Sequence, residues 1–314
     1  MDPRDDFPPA FEAAVGKPLS RGVALALFSS FRIGGPADFF FEAGSAEELK
    51  KAAKAARAAR VPFYIIGDGT NLLFADEGYR GLVVRNRSAA PALDASLPRL
   101  TAPSGLALGK VVQFSLEKGL TGMEFLAGIP GTVGGAVCGN AGAFGRSIGD
   151  VLETASLLGR DGQERQAGRA DLAFSYRHSS LREKGDLLFD AVFSLAPGDP
   201  ARSRDEVRDF LEQRKKKHPP WGTACAGSYF KNPCLPDGSK QAAGYLLDRA
   251  GARGERVGDA AVYEGHCNFI VNLGRASARD VLELAARLKD KVRAEFGVTL
   301  EEEVIHLRAN AAGL

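Results

Sequence analysis

The sequence predicts an α+β protein built from more than one domain, and three observations carry that expectation. A helix signal, a buried strand, a glycine-rich loop and a second strand follow one another between Ser45 and Arg85. Short alternating strands separated by Gly and Asp turns fill Val151 to Leu195. Between them, Gly128 to Gly145 reads G-I-P-G-T-V-G-G-A-V-C-G-N-A-G-A-F-G, dense in glycine and free of charge.

Residues 1–20 are rich in Pro and Asp and are expected to fray at the start. Ser45 with Glu48 forms a capping-box pattern, and Ala, Lys and Arg fill a helix to Arg60. Val61–Ile66 is an apolar run of strand length closed by Gly67. Gly81–Arg85 follows a turn at Glu77 and Gly78 as the second strand. The Pro- and Ala-rich stretch Ala89–Pro98 marks a boundary. Leu108–Lys118 reads as a helix stopped by Gly119. Val151–Gly159, Gln163–Gln166 and Leu187–Leu195 read as strands, and Pro197–Pro200 marks a second boundary. Ser203–Lys217 is then a helix, and Ala242–Ala250 a short helix before Gly251. His266–Asn272 is a strand, and Ser277–Phe296 a long amphipathic helix with Asp280 in its first turn and Gly297 as its stop. The expected units are residues 1–88, 89–199 and 200–314, with the end of the chain packing back on the first.

The 314 residues allow two or three domains, and a balance of 45% hydrophobic to 25% charged gives each a core of ordinary size. A net charge of +2 supplies no global field for nucleic acid or an anionic membrane, so neither is expected as a partner. The N-terminus M-D-P-R-D-D-F-P-P has no apolar h-region and no apolar run approaches a membrane span, so a cytoplasmic location is expected. Cys138, Cys225, Cys234 and Cys267 form no C-x-x-C pair, which fits a reducing compartment. His178, His218, His266 and His306 lack metal-ligand spacing, so no metal is expected.

Glycine at the density of Gly128–Gly145 permits positive φ and close approach to a ligand, and bare N–H groups in such turns bind anions. Two readings stand: a wall of peptide against a flat or phosphorylated ligand, or a set of tight turns in a β domain. The loop Gly67-Asp68-Gly69-Thr70-Asn71-Leu72-Leu73 directly follows a strand, and its N–H, hydroxyl and amide donors suit a pyrophosphate. It is neither a Walker loop nor G-x-G-x-x-G, and a plain type I′ or II turn is the alternative. Two such loops in adjacent domains suit the two ends of one extended dinucleotide, of which FAD is an example. Ala226–Pro233 gathers the Ser228 hydroxyl, the Lys231 cation and the Asn232 amide, as a reactive turn or simply a capped one. Without a G-x-S-x-G elbow a hydrolase triad is not supported. Tyr176-Arg177 suits carboxylate or phosphate recognition, or a surface ion pair. Glu301-Glu302-Glu303 is a solvated face unless strand alternation turns Glu303 inward. Arg214-Lys215-Lys216-Lys217 complements a helix dipole or attracts a phosphorylated substrate.

In order along the chain, Phe31–Ala37 (F-R-I-G-G-P-A), Gly67–Leu73, Gly128–Gly145, Ser175–Arg177, Gly227–Pro233, His266–Asn272 and Leu300–Val304 resemble the UDP-N-acetylenolpyruvoylglucosamine reductase family. Each piece alone is weak, but their shared order from about residue 28 to 305 is specific. The resemblance implies a two-part FAD-binding region of the vanillyl-alcohol-oxidase/PCMH type and a C-terminal α+β substrate domain. It implies noncovalent FAD held by Gly67, Asp68, Gly69, Thr70, Asn71, Leu72, Ile129, Pro130, Gly131, Gly135, Asn140, Ala141 and Gly142. It implies NADPH-dependent reduction of UDP-N-acetylglucosamine enolpyruvate to UDP-N-acetylmuramate in peptidoglycan precursor synthesis. Hydride goes to the β-carbon and a proton from Ser228 to the α-carbon. Arg177 would stabilise the developing enolate at the carboxylate, and Glu303 would polarise it or relay the proton. Tyr176, Lys231, Asn232 and Asn268 are the implied substrate contacts. The lack of a separate G-x-G-x-x-G agrees with NADPH borrowing the substrate pocket.

The chain departs from the family pattern at Phe144, where Tyr is frequent, at Cys225 within Ala224–Ser228, and at Gly265 before His266. These touch substrate affinity rather than the reaction. No long insertion separates Leu195 from Ser203, which places the chain with the shorter type. Two rivals are weighed against this expectation. One is a flavin oxidase of the same fold: many of these attach flavin covalently to His or Cys, and Phe63–Arg80 contains neither, which leaves a noncovalent flavin oxidase as the alternative. A sugar-nucleotide-binding homologue without activity would not need to retain Arg177, Ser228 and Glu303 together.

Overall fold

The computed structural model describes residues 6–89, 94–96, 98–235 and 238–311. The first unit opens with a helix, α1 (Phe7–Val15), inside the Pro- and Asp-rich stretch, and the expected fraying at its start falls on residues 1–5, outside the described residues. Phe7 and Phe11, one helical turn apart, are fully buried and meet Phe39 and Phe41 edge-on at 5.2 and 5.1 Å. Aromatic burial outweighs the Pro and Asp around it, and the prolines fall in the first turn, where their missing N–H is harmless. The unit continues with β1 (Ser20–Ala24), β2 (Pro36–Ala43), α2 (Ala46–Ala58), β3 (Phe63–Ile66), β4 (Leu72–Phe74) and β5 (Tyr79–Asn86). The sheet order is β1-β2-β5-β3, with β5 parallel to both of its neighbours. Ser45 accepts from Glu48 N, while the Glu48 carboxylate takes Gly44 N rather than the Ser45 N–H. Gly67–Asn71 leaves the carboxyl end of β3, the end at which parallel strands present ligands.

The second unit holds β6 (Asp94–Ser96), β7 (Arg99–Pro103), α3 (Leu108–Glu117), β8 (Leu120–Thr121), α4 (Val133–Cys138), the hairpin β9 (Gly142–Ala143) and β10 (Arg146–Ser147), β11 (Leu152–Leu158), β12 (Glu164–Gly168), α5 (Leu181–Lys184), β13 (Leu187–Ser194) and β14 (Ala196–Pro197). Its antiparallel sheet runs β12-β11-β13-β7-β6. The expected boundary Ala89–Pro98 lies partly outside the described residues, and Asp94–Ser96 within it is an edge strand. The glycine-rich run contains a helix the sequence did not announce. Thr132 caps α4 by accepting from Gly135 N at 3.4 Å.

Helix α6 (Pro200–Lys217), expected in the third unit, packs on the second. Val207 and Phe210 rest on the core built from residues 100–195, and Ser203 Oγ donates to the buried Glu124 carboxylate at 2.7 Å.

The third unit is α7 (Ala243–Arg249), β15 (Arg256–Val257), β16 (Ala260–Val262), β17 (Ile270–Asn272), α8 (Ala278–Phe296) and β18 (Ile305–Leu307). Strand forms over only the last part of the expected His266–Asn272. His266–Phe269 is a turn instead, closed by His266 N to Tyr263 O and Phe269 N to His266 O. The α8 N-terminus carries the Ser277–Asp280 capping box and is also held by Asp76 of the first unit, which accepts from Ala278 and Arg279 N. β18 leaves the third unit and pairs in parallel with β4, Ile305 opposite Leu72 and Leu307 opposite Phe74. Among the described residues no helix is long and apolar enough to cross a membrane.

The turn at His266 brings a pH dependence. His218 packs against His266 and Phe269, with centroids at 6.4 and 5.0 Å. Burial first, then the positive charge of Arg214, pushes the His218 imidazole down to about 4. The unfolded chain therefore binds this proton more tightly than the folded one. The His218 contribution is intact above pH 6.5 and is lost as pH falls towards 4, at most about 3 kcal/mol. Urea unfolding at stepped pH is expected to show this decline in the wild type and a shallower one in His218→Phe; equal slopes would rule out His218 as its source.

Candidate active site

The two glycine loops meet. A Cβ on Gly67 would lie 2.4 Å from Thr132 Oγ1, and one on Gly69, at φ +63, would lie 1.9 Å from the Phe28 carbonyl oxygen. Thr70 Oγ1 donates to Pro130 O at 3.3 Å, closing the seam between the loops. These glycines are thus required first by contacts within the protein. Within Gly128–Gly145 the turn reading is met by a tight hairpin turn with Phe144 at φ +52 and Gly145 at φ +77.

The donor set fits FAD. The backbone N–H groups of Asp68, Gly69 and Thr70 donate to no described residue, nor do those of Gly131 and Thr132 across the seam. A row of such donors is the chemistry a pyrophosphate requires. Several of the expected cofactor residues also make contacts within the protein. Asn140, buried at φ +43, donates from Nδ2 to Ser175 O at 2.7 Å and accepts Gly149 N at 3.1 Å, so its amide is spent positioning the Ser175 turn. Asn71 Nδ2 donates to Glu303 O, and its carbonyl takes Ile305 N. Asp68 pairs with Arg87 at 3.0 Å, and Leu72 lies within β4. Ala141 and Gly142 use their carbonyls on Ile148 N and Arg177 Nη1, while Pro130 and Gly135 are exposed and Ile129 half-buried.

Arg177, Ser228 and Glu303 converge by way of backbone pairing. Ser175 and His178 exchange both backbone hydrogen bonds, which leaves Tyr176-Arg177 at the tip of a tight turn with Arg177 at φ +56. Arg177 donates from Nη1 to Gly142 O at 3.1 Å, and its Nε lies 2.6 Å from Glu303 Oε1. Glu303 N donates to Tyr229 O at 2.8 Å beside the Phe230–Glu302 bridge, which sets Glu303 next to the residue after Ser228. Glu301 and Glu302 are exposed while Glu303 is withdrawn from solvent. Burial pushes the Glu303 carboxyl up, and Arg177 opposes that shift. Ser228 is half-buried, follows Gly227 at φ +78, and gives its hydroxyl to no described residue. Burial raises the Cys225 thiol, which keeps it protonated near neutrality.

The expected substrate contacts divide. Tyr176 is 41% exposed, faces Lys240 across its ring at 5.1 Å, and its hydroxyl accepts Asn232 N at 3.3 Å. Lys231 Nζ lies 3.3 Å from Glu301 Oε2 at the rim. Asn232 instead accepts Ala243 N at the start of α7. Asn268, 3% exposed, exchanges two 2.9 Å hydrogen bonds with the backbone of Phe230. Asn268 thus spends its amide on the frame of the site, whereas Asn232 Nδ2 bonds no described residue. Sequence reasoning also passed over Asp76 and Asn272, which bind α8 and the Phe31 carbonyl, and it weighed Arg214 only as part of its basic run. Only Arg214 had a signal, its spacing of four from Phe210.

A divided framework with unpaired backbone N–H donors at the seam and a half-buried Arg–Glu pair beside a serine hydroxyl fits an FAD-dependent oxidoreductase. Residues 37–168 match the model of the FAD binding domain, and residues 219–307 match that of the UDP-N-acetylenolpyruvoylglucosamine reductase C-terminal domain. The reductase of Gloeobacter violaceus is 39% identical over 91% of this chain and 95% of its own. That of Pelobacter propionicus is 42% identical over 92% and 93%. The crystal structure of the Thermus caldophilus reductase superposes with a TM-score of 0.76 at 35% identity, covering 92% of this chain and 98% of that one. The chain belongs to the UDP-N-acetylenolpyruvoylglucosamine reductase family.

Proposed function

We propose that this protein reduces UDP-N-acetylglucosamine enolpyruvate to UDP-N-acetylmuramate with NADPH, a cytoplasmic step of peptidoglycan precursor synthesis. The observation that carries this reading is the Arg177–Glu303 pair beside a serine whose hydroxyl bonds no described residue. The N–H groups of Asp68–Thr70 and Gly131–Thr132 would hold FAD, with Asn71 and Asn140 fixing the loops that carry them. FAD, when bound, supplies the hydride that reaches the β-carbon of the enolpyruvyl group. Arg177 stabilises the negative charge that spreads into the substrate carboxylate, in a cleft where burial strengthens the interaction. Ser228 delivers the proton to the α-carbon. An isolated hydroxyl is a weak acid, so the neighbouring Glu303 carboxyl, itself raised by burial, polarises the enolate or relays the proton.

The reading is tested without oxygen. The FAD-loaded protein is bleached with NADPH, and the enolpyruvyl sugar nucleotide is then added. Rapid return of the oxidised flavin spectrum is expected; a flavin that stays reduced sinks the proposal.

A further inference from the structure

Arg214 lies in the last turn of α6 but does not share the fate of its basic neighbours. Lys215, Lys216 and Lys217 are exposed, whereas Arg214 is drawn inward. Its stem lies against Gly128, where a Cβ would come 2.9 Å from Cδ. Its guanidinium lies 5.4 Å from the Phe144 ring centroid, and that ring stacks at 4.0 Å on Phe210, one turn back on α6. Nε and Nη2 are buried and hydrogen-bond to nothing among the described residues. Arg57, Arg80, Arg85 and Arg177 also have an Nε without a directed hydrogen bond, but each commits a terminal nitrogen to a carbonyl or carboxylate. Arg214 commits none, and no described carboxylate pairs with it.

The charge balance of the cleft is therefore incomplete. Arg177 is close enough to weigh electrostatically on Arg214, and the Glu303 carboxylate is taken by Arg177. A guanidinium does not escape burial by losing its proton, so an unpaired one in this position is unfavourable until an anion arrives. The substrate of the proposed reaction brings two candidates, a carboxylate and a pyrophosphate. Resting on that reading, we infer that Arg214 is a substrate-binding residue. Its Nε–Nη2 edge receives an oxyanion of the sugar nucleotide, and the Phe144–Phe210 stack holds that edge in place. Phe144, the departure from the family pattern, then acts as a brace for the arginine.

The test uses FAD-loaded, oxidised protein titrated calorimetrically with UDP-N-acetylglucosamine enolpyruvate and with UDP-N-acetylglucosamine, which lacks the carboxylate. Arg214→Met keeps the apolar stem and removes the charge. It is expected to weaken binding of the enolpyruvyl nucleotide about 10- to 100-fold, the range for a lost charge-assisted hydrogen bond. Loss confined to that ligand identifies the carboxylate, and equal loss for both identifies the pyrophosphate; either supports the inference. Unchanged affinity for both, with normal wild-type binding, overturns the role of Arg214 and leaves the proposed reaction standing. A wild type that binds neither nucleotide overturns both. If Arg214→Met does not retain FAD, Arg214→Gln is put through the same comparison, with unchanged affinity again decisive against it.

Discussion

Ser228→Ala is expected to leave the NADPH-dependent bleaching of the flavin intact and to slow its reoxidation by the enolpyruvyl nucleotide by about 10²- to 10⁴-fold, the usual worth of a positioned general acid. The asymmetry follows from where Ser228 sits. It belongs to the third unit, two residues before the Phe230–Glu302 bridge, whereas the donors at the cofactor seam belong to the first and second units. Removing one oxygen from a half-buried side chain without a protein partner leaves no described group unsatisfied, so the fold is expected to hold. Rapid-mixing measurement of the two half-reactions separates the outcomes. An unchanged second half-reaction would remove Ser228 from the proton path, and an equal loss in both would make it a positioning residue.

Asn268→Ala is expected to have the largest effect on stability, a loss of about 2–5 kcal/mol. Its amide satisfies both the N–H and the C=O of Phe230 at 2.9 Å, and its own carbonyl accepts Tyr229 N at 2.8 Å. Alanine leaves two backbone groups at the fully buried Phe230 without partners, at about 1–3 kcal/mol each. Because the same segment sets Ser228 beside Glu303, turnover should fall along with the urea midpoint. Asn268→Asp keeps an acceptor for Phe230 N but turns a buried carboxylate oxygen towards Phe230 O, so its midpoint is expected to recover only at low pH, where the protonated carboxyl can donate. A variant with normal stability and a raised KM would instead return Asn268 to the substrate contacts that the family resemblance implied.

Much of the local structure was legible in the sequence because it depends on neighbours in the chain. The Ser277–Asp280 capping box, the glycine stops after α3 and α8, and the alternation of β11 and β13 are all short-range. The misses have a common cause. α1 was obscured because local composition outranked Phe7 and Phe11, whose burial depends on β2. The helix α4 was obscured because its glycines are poor helix formers held by the Thr132 cap and by packing. The strand at His266 shortened because its first residues close a turn on Tyr263. α6 joined the second unit because Ser203 and Phe210 find partners there, although the prolines before it looked like a boundary.

By itself the sequence determined the class of elements, their order, and the collinear motifs that lead to the family and to Arg177, Ser228 and Glu303. The tertiary structure alone decided which of the expected side chains are taken up by hydrogen bonds within the protein. Asn140 and Asn268 are amides of the kind that bind substrates, and here each is satisfied by backbone within the protein. Arg214 stood in a run that reads as helix-end charge or as attraction of a phosphorylated substrate, and its buried Nε and Nη2 find no partner among the described residues. Hydrogen-bond satisfaction and charge balance belong to pairs brought together across units, such as Arg177 with Glu303, and chain-local patterns carry no record of them.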